Sequence, residues 1–242
     1  MLTVCVHGVG GVGGGFHCSW GSEGGMTLGS EITEGHEAGE LHLSARFTSA
    51  VEYARVLHIE RRKGTEIPYM AHLVGVAALV MGEAGNAGVA VTEEMVIAAL
   101  LHDAAEDHGG ALRLRDIEHN FGANVARMVE GLSDSLAADA ANKQSWKERK
   151  QAYIHRLGDE AAEVRVISVA DKVYNARAIL EDYRQIGAEV WKRFKRGRDE
   201  QLWYFDQLLA VYRSFGSIRI VEELGRVVDE LRRISEGESH TS

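Results

Sequence analysis

Residues 100–110 read LLHDAAEDHGG and close an apolar helix-patterned run, EEMVIAALL at 93–101. Thr92 is placed as an N-cap, and Glu93 and Glu94 fall in a first turn where the helix dipole favours acids. Gly109-Gly110 supplies the stop. The pattern predicts one continuous helix through EEMVIAALLHDAAED. On it, residues three and four apart share a face, so His102 neighbours Glu106, and Asp103 neighbours Glu106 and Asp107. Carboxylates crowded against a core are unfavourable unless they take up protons or meet a cation. A divalent metal supplies that compensation, but an adjacent His-Asp pair cannot close a metal site alone.

Two residues elsewhere are candidates for the remaining ligands. His72 stands on the otherwise apolar stretch IPYMAHLVGVAAL, and Asp171 is a lone acid in VRVISVADKVYNAR. Each also has a plain structural reading: His72 as a hydrogen-bonded core histidine, Asp171 as a surface ion pair with Arg165 or Lys172. Glu106 and Asp107 taken alone are an ordinary solvated helix end. Together, two imidazoles and two carboxylates make a mixed N/O set that suits Mn²⁺ or Fe²⁺ and, less well, Zn²⁺.

The rest of the chain narrows the class. It has 242 residues, 45% hydrophobic and 26% charged, with a net charge of −9. No apolar run approaches a membrane span. The acidic balance argues against general nucleic-acid binding, which needs a basic face, but leaves room for a small anionic substrate in a local basic pocket. Cys5 and Cys18 are too few for a disulfide framework, and a cytoplasmic protein is expected.

The first forty residues hold 12 of the 27 glycines. They include Gly8-x-Gly10-x-x-Gly13, formally a dinucleotide fingerprint, yet no amphipathic helix follows it as that motif requires. Residues 1–41 are expected to be a disordered extension, with Met26 as an alternative start. From about residue 44 helical periodicity is nearly unbroken and no β-alternation of useful length occurs. The expectation is all-α: a single helical domain over 42–234, with a polar tail at 235–242.

Four stretches in order, RRKGTEIPYMAH, ALLHDAAED, FGANVARMVEGLSD and VADKVYNAR, resemble the HD-domain metal-dependent phosphohydrolases. More narrowly, they resemble the hydrolase domain of RelA/SpoT-type alarmone enzymes over roughly residues 46 to 180. The resemblance implies an HD-type helical bundle that binds one Mn²⁺ through His72, His102, Asp103 and Asp171. It further implies catalysis by Glu106 and Asp107, nucleotide contacts from Arg62, Lys63 and Asn175, and removal of the 3′-pyrophosphate of (p)ppGpp. Lys147 and Lys150 in SWKERK are added as candidates for the phosphates. The longer members carry a synthetase domain after this region; only about sixty residues remain here, so synthesis is not expected.

Binuclear HD enzymes need further histidines between the HD pair and the last aspartate. His108, His119 and His155 fall in that interval without a recognisable repeat of the motif, so one ion is expected. Leu73 follows His72 where long members usually have proline, Ser133 replaces a common threonine, and KVYNAR replaces RLHNMR. These departures touch the nucleotide wall rather than the ligands. An alarmone hydrolase, an HD phosphohydrolase for another nucleotide, and a non-catalytic metal- or nucleotide-binding module all remain open. The oligomeric state is not derivable from the sequence.

Overall fold

The computed structural model describes residues 40–86, 88–134, 145–216 and 218–237. The glycine-rich motif, Cys5, Cys18 and Met26 lie outside the described residues, as do the last five of the polar tail. The helices run α1 (Ala45–Leu57), α2 (Met70–Gly82), α3 (Glu93–Leu101), α4 (Ala104–Asp107), α5 (Gly110–Phe121), α6 (Ala123–Leu132), α7 (Trp146–Asp159), α8 (Ala162–Ile186), α9 (Gly197–Ser214) and α10 (Arg219–Gly237). A 3₁₀ helix, Gly187–Arg193, joins α8 to α9. Among the described residues the β-type pairing is the isolated bridge Arg61–Pro68, in keeping with an all-α fold.

Helix α3 is the centre of the bundle because nothing on it tolerates water: every residue from Met95 to Leu101 is buried. A helix apolar all round must be enclosed, and α1, α2, α6 and α8 enclose it. The 25-residue α8 is the second axis, packed against α10, α2 and α6. The Thr92 hydroxyl accepts from the Met95 amide at 3.3 Å, the expected N-cap. Ser145 and Glu148 form a reciprocal capping box that starts α7, and Gly187 at φ 58° ends α8.

The continuous helix expected from Glu93 to Asp107 is instead two, broken at His102–Asp103. The His102 ring explains the break: its Nδ1 lies 2.8 Å from the Ala99 carbonyl. A straight helix would offer that carbonyl to the Asp103 amide. Asp103 caps the single turn α4, whose Asp107 amide still donates to the Asp103 carbonyl at 3.0 Å. Smaller differences lie at the ends. Helix α6 stops at Leu132 rather than near Leu136, and α10 continues to Gly237, into the expected polar tail.

Helices α2 and α8 approach closely at Gly75, where a Cβ would overlap the Tyr174 ring. The same ring packs edge-on against His72, with centroids 5.0 Å apart. Gly75→Ala therefore must displace Tyr174 and is expected to lower stability by about 1–3 kcal/mol, the range for overpacking. Urea unfolding followed by circular dichroism measures this, and an unchanged midpoint would refute the close approach.

Candidate metal centre and active site

Three enclosed elements deliver four donor atoms to one point. His72 comes from the first turn of α2, His102 and Asp103 from the break after α3, and Asp171 from the middle of α8. His72 Nε2 lies 3.2 Å from His102 Nε2, 3.5 Å from Asp103 Oδ2 and 3.3 Å from Asp171 Oδ1. His102 Nε2 lies 3.0 Å from Asp103 Oδ2 and 3.7 Å from Asp171 Oδ1. Ligands about 2.1 Å from a common ion are about 3.0 Å apart at a right angle and about 3.4 Å apart at the tetrahedral angle. The spacing therefore fits a divalent cation at the middle of the set. The His102 Nδ1–H bond to Ala99 fixes the ring so that Nε2 faces the centre, the usual arrangement of a metal-bound imidazole.

The electrostatics point the same way. Burial disfavours charge on His102, but Asp103 and Asp171 outweigh it and hold its pKa well above the usual imidazole value. Burial keeps His72 on the neutral side. Burial would raise both aspartates, yet the two histidines outweigh it for Asp103, and Lys172 with His102 for Asp171, so both stay ionised. Without a metal the two carboxylates are therefore balanced by a proton on His102 and by the Lys172 ammonium.

Supporting groups surround these donors. The Tyr69 hydroxyl donates to Asp103 Oδ2 at 2.6 Å. Lys172 donates to Asp171 Oδ2, and its ammonium lies 5.6 Å from the Tyr153 ring centroid. The surface ion pair weighed for Asp171 is thus a largely buried one, with Lys172 14% exposed. Asn175, one turn beyond Asp171, donates to Asp171 Oδ1 at 2.5 Å and accepts from Arg62 at 2.8 Å.

Around the cage opens a cavity of about 700 Å³ lined by Arg62, Lys63, Glu106, Asp107, Lys150 and Asn175 among others. Lys147 is not brought to it; its ammonium lies 3.8 Å from Glu200 and over the Trp203 ring. His119 and His155 are exposed away from the cavity, and His108 joins a separate cluster. Arg193, from the basic run WKRFKRGRDE, lines the cavity and pairs with Asp182 at 2.5 Å.

Asp134, the last residue of FGANVARMVEGLSD, received no role from the sequence but sits beside Glu106. Its amide donates to Glu106 Oε2 at 3.2 Å, and its carboxylate meets Arg149 at 2.6 Å and Lys150 at 2.7 Å. Burial and the Asp134 carboxyl push Glu106 up to about 8. Lys150 and the Glu106 hydrogen bond overcome burial to bring Asp134 down to about 2. The two carboxyls titrate together, with the proton favoured on Glu106 over Asp134.

This helical bundle with its His-His-Asp-Asp cage belongs to the HD-domain family, whose model matches residues 50–200. A human protein, guanosine-3′,5′-bis(diphosphate) 3′-pyrophosphohydrolase MESH1, is 32% identical over 162 residues, covering 66% of this chain and 79% of that one. Its Drosophila melanogaster namesake is 31% identical, covering 55% and 69% respectively. A solved structure of a metazoan ortholog of SpoT, which hydrolyses ppGpp, matches with a TM-score of 0.60 at 27% identity. That match covers 79% of this chain and 96% of the other.

Two outcomes follow from the site. Glu106 has a higher pKa folded than its ordinary 4.5, so the folded state binds its proton more tightly. Its contribution to stability is full below about pH 4.5 and is lost as pH rises through about 8. Glu106→Gln should flatten that decline in metal-free protein, as read by denaturant unfolding between pH 5 and pH 9 against wild type; parallel curves would contradict it. Separately, Lys150→Ala should weaken binding of inorganic pyrophosphate about tenfold or more, the scale of one charge-assisted hydrogen bond. Lys147→Ala should leave it unchanged, and calorimetric titration of both variants checks the contrast.

Proposed function

We propose that this chain hydrolyses the 3′-pyrophosphate of ppGpp and pppGpp, giving GDP or GTP and pyrophosphate. The observation that carries the reading is the grouping of His72, His102 and Asp103 donor atoms, with Asp171 against both histidines, beside a cavity lined by Glu106 and by cationic side chains. Its relation to pyrophosphohydrolases supplies the substrate class. The domain that carries the activity is 42–234, and the compartment is the cytoplasm. Among the described residues, no helix is long and apolar enough to cross a membrane.

His72, His102, Asp103 and Asp171 would hold the metal, which we assign as Mn²⁺ on the strength of the two-nitrogen, two-oxygen donor set. When bound, a divalent cation supplies Lewis-acid chemistry, polarising a phosphoryl oxygen and acidifying water. The chain's own residues do the rest. Arg62 and Lys63 approach from the segment before α2, and Lys150 from α7, so positive charge flanks the cavity on two sides.

In hydrolysis, water adds to the phosphorus attached to the ribose 3′-oxygen and that P–O bond breaks. The water loses a proton and the departing 3′-oxygen gains one. A carboxyl with a pKa of about 8 is suited to either transfer near neutral pH, and Glu106 is that group. Asp107, exposed at the cavity, is assigned as its partner in orienting the water. Asn175 positions Arg62 and Asp171 together, tying the nucleotide wall to the cage.

The guanine end is the part most open to another reading. Tyr174, within the departing KVYNAR segment, carries the Arg62 guanidinium 5.3 Å from its ring centroid, so this wall differs from that of the longer enzymes. A substrate panel addresses it directly. Metal-stripped protein given Mn²⁺ should release GDP and pyrophosphate from ppGpp and leave GTP, GDP and ATP intact. Asp103→Ala should abolish turnover, and Glu106→Gln should lower kcat by about 10²-fold or more. Turnover of the other nucleotides but not ppGpp would reject the substrate assignment. Mn²⁺ binding without any turnover would favour a binding module.

A further inference from the structure

Beyond Tyr69, a second set of donor atoms converges without any part in the cage. His58 Nδ1 lies 2.8 Å from Glu60 Oε1 and 3.3 Å from His108 Nε2. His108 Nε2 lies 3.5 Å from Glu60 Oε1, closing the triangle. His58 and Glu60 come from the segment that leaves α1, and His108 is the C-cap of α4. The Tyr69 ring divides the two clusters: it stacks on His58 at 5.2 Å, while its hydroxyl bonds Asp103 at 2.6 Å.

We infer that His58, Glu60 and His108 form a second divalent-cation site, distinct from the cage, that takes a borderline transition metal such as Zn²⁺ or Co²⁺. The three edges are those of one face of a coordination shell with ligands about 2.1 Å from the ion. Two imidazoles and one carboxylate are a donor set that such ions favour. Glu60 is 38% and His108 29% exposed on the side chain, so water has access to the remaining positions.

His58 is 2% exposed, and its Nε2 is buried with no partner. A neutral ring places either an N–H or a lone pair at that atom, so neither tautomer is satisfied by Glu60 and His108 on the other side. A cation at Nδ1 fixes the ring as the Nε2–H tautomer and leaves the Nδ1 lone pair facing the same point as Glu60 Oε1 and His108 Nε2. His108 is itself held by its backbone, whose carbonyl accepts from Arg113 Nε at 3.0 Å.

The consequence is mechanical. An ion here fastens the segment bearing Arg62 and Lys63 to the residue that follows Glu106 and Asp107. Resting on the pyrophosphohydrolase reading, occupancy should tighten nucleotide binding and so act on KM more than on kcat. The site itself is tested without turnover. Metal-stripped full-length chain titrated with Co²⁺, followed by calorimetry and visible absorption, should take up two equivalents.

His108→Ala and Glu60→Gln, at partly exposed positions, should each take up one, with the absorption of the remaining Co²⁺ unchanged. Asp103→Ala run alongside reports on the cage separately. Loss of an equivalent in His108→Ala but not in Asp103→Ala would uphold the outer site and sink the cage. Equal uptake by wild type, His108→Ala and Glu60→Gln, whether two equivalents, one or none, would overturn the inference.

Discussion

Two aspartates cannot be enclosed beside one another in a protein interior unless positive charge is enclosed with them. That constraint governs the arrangement around Asp103 and Asp171. In the metal-free chain the compensation is improvised from Lys172, a proton on His102 and the Tyr69 hydroxyl. Each partner is bought at a desolvation penalty, since ordinary solvated ion pairs contribute little and enclosed ones must be hydrogen-bonded to hold. A divalent ion amid the four donors meets the same need with one body. In the proposed metal-bound form, metal entry would be coupled to release of the His102 proton.

The charge balance also explains why the site is built on the least yielding helices. Helix α3 has no solvent face and α8 runs the length of the bundle, so the donors cannot drift apart to relieve their repulsion. The residues assigned to substrate lie on less constrained ground: Arg62 and Lys63 between α1 and α2, Lys150 on the amphipathic α7. The cage is fixed by packing, whereas the phosphate-facing walls are held by individual polar contacts such as Arg62 to Asn175.

His72 and Asp171 were legible because a polar side chain inside an apolar helix stands out against its neighbours. The helices themselves were legible from periodicity, caps and glycine stops. Asp134, Tyr69 and Arg193 were not, because each lies in a stretch where a polar or aromatic residue excites no notice, and only the chain's crossings bring it to the cavity. The break at His102 escaped for another reason. Periodicity registers where side chains point, not which of them competes with the backbone for the Ala99 carbonyl. Lys147 and Lys150 are three residues apart on one helix, yet one faces the cavity and the other pairs with Glu200. Spacing alone could not separate them.

The notch at Gly75 bears on the size of ion that the proposed metal site would take. His72 rides on α2 and Asp171 on α8, and these two helices are spaced by a tyrosine ring seated against bare backbone rather than by flexible side chains. Ionic radius is therefore judged by helix packing. An ion that wants oxygen ligands at about 2.3–2.6 Å, as Ca²⁺ does, must spread two core helices to be seated. A smaller ion would enter with the bundle at rest, so in the proposed site the hydrophobic core, as well as the four ligands, would discriminate between metals.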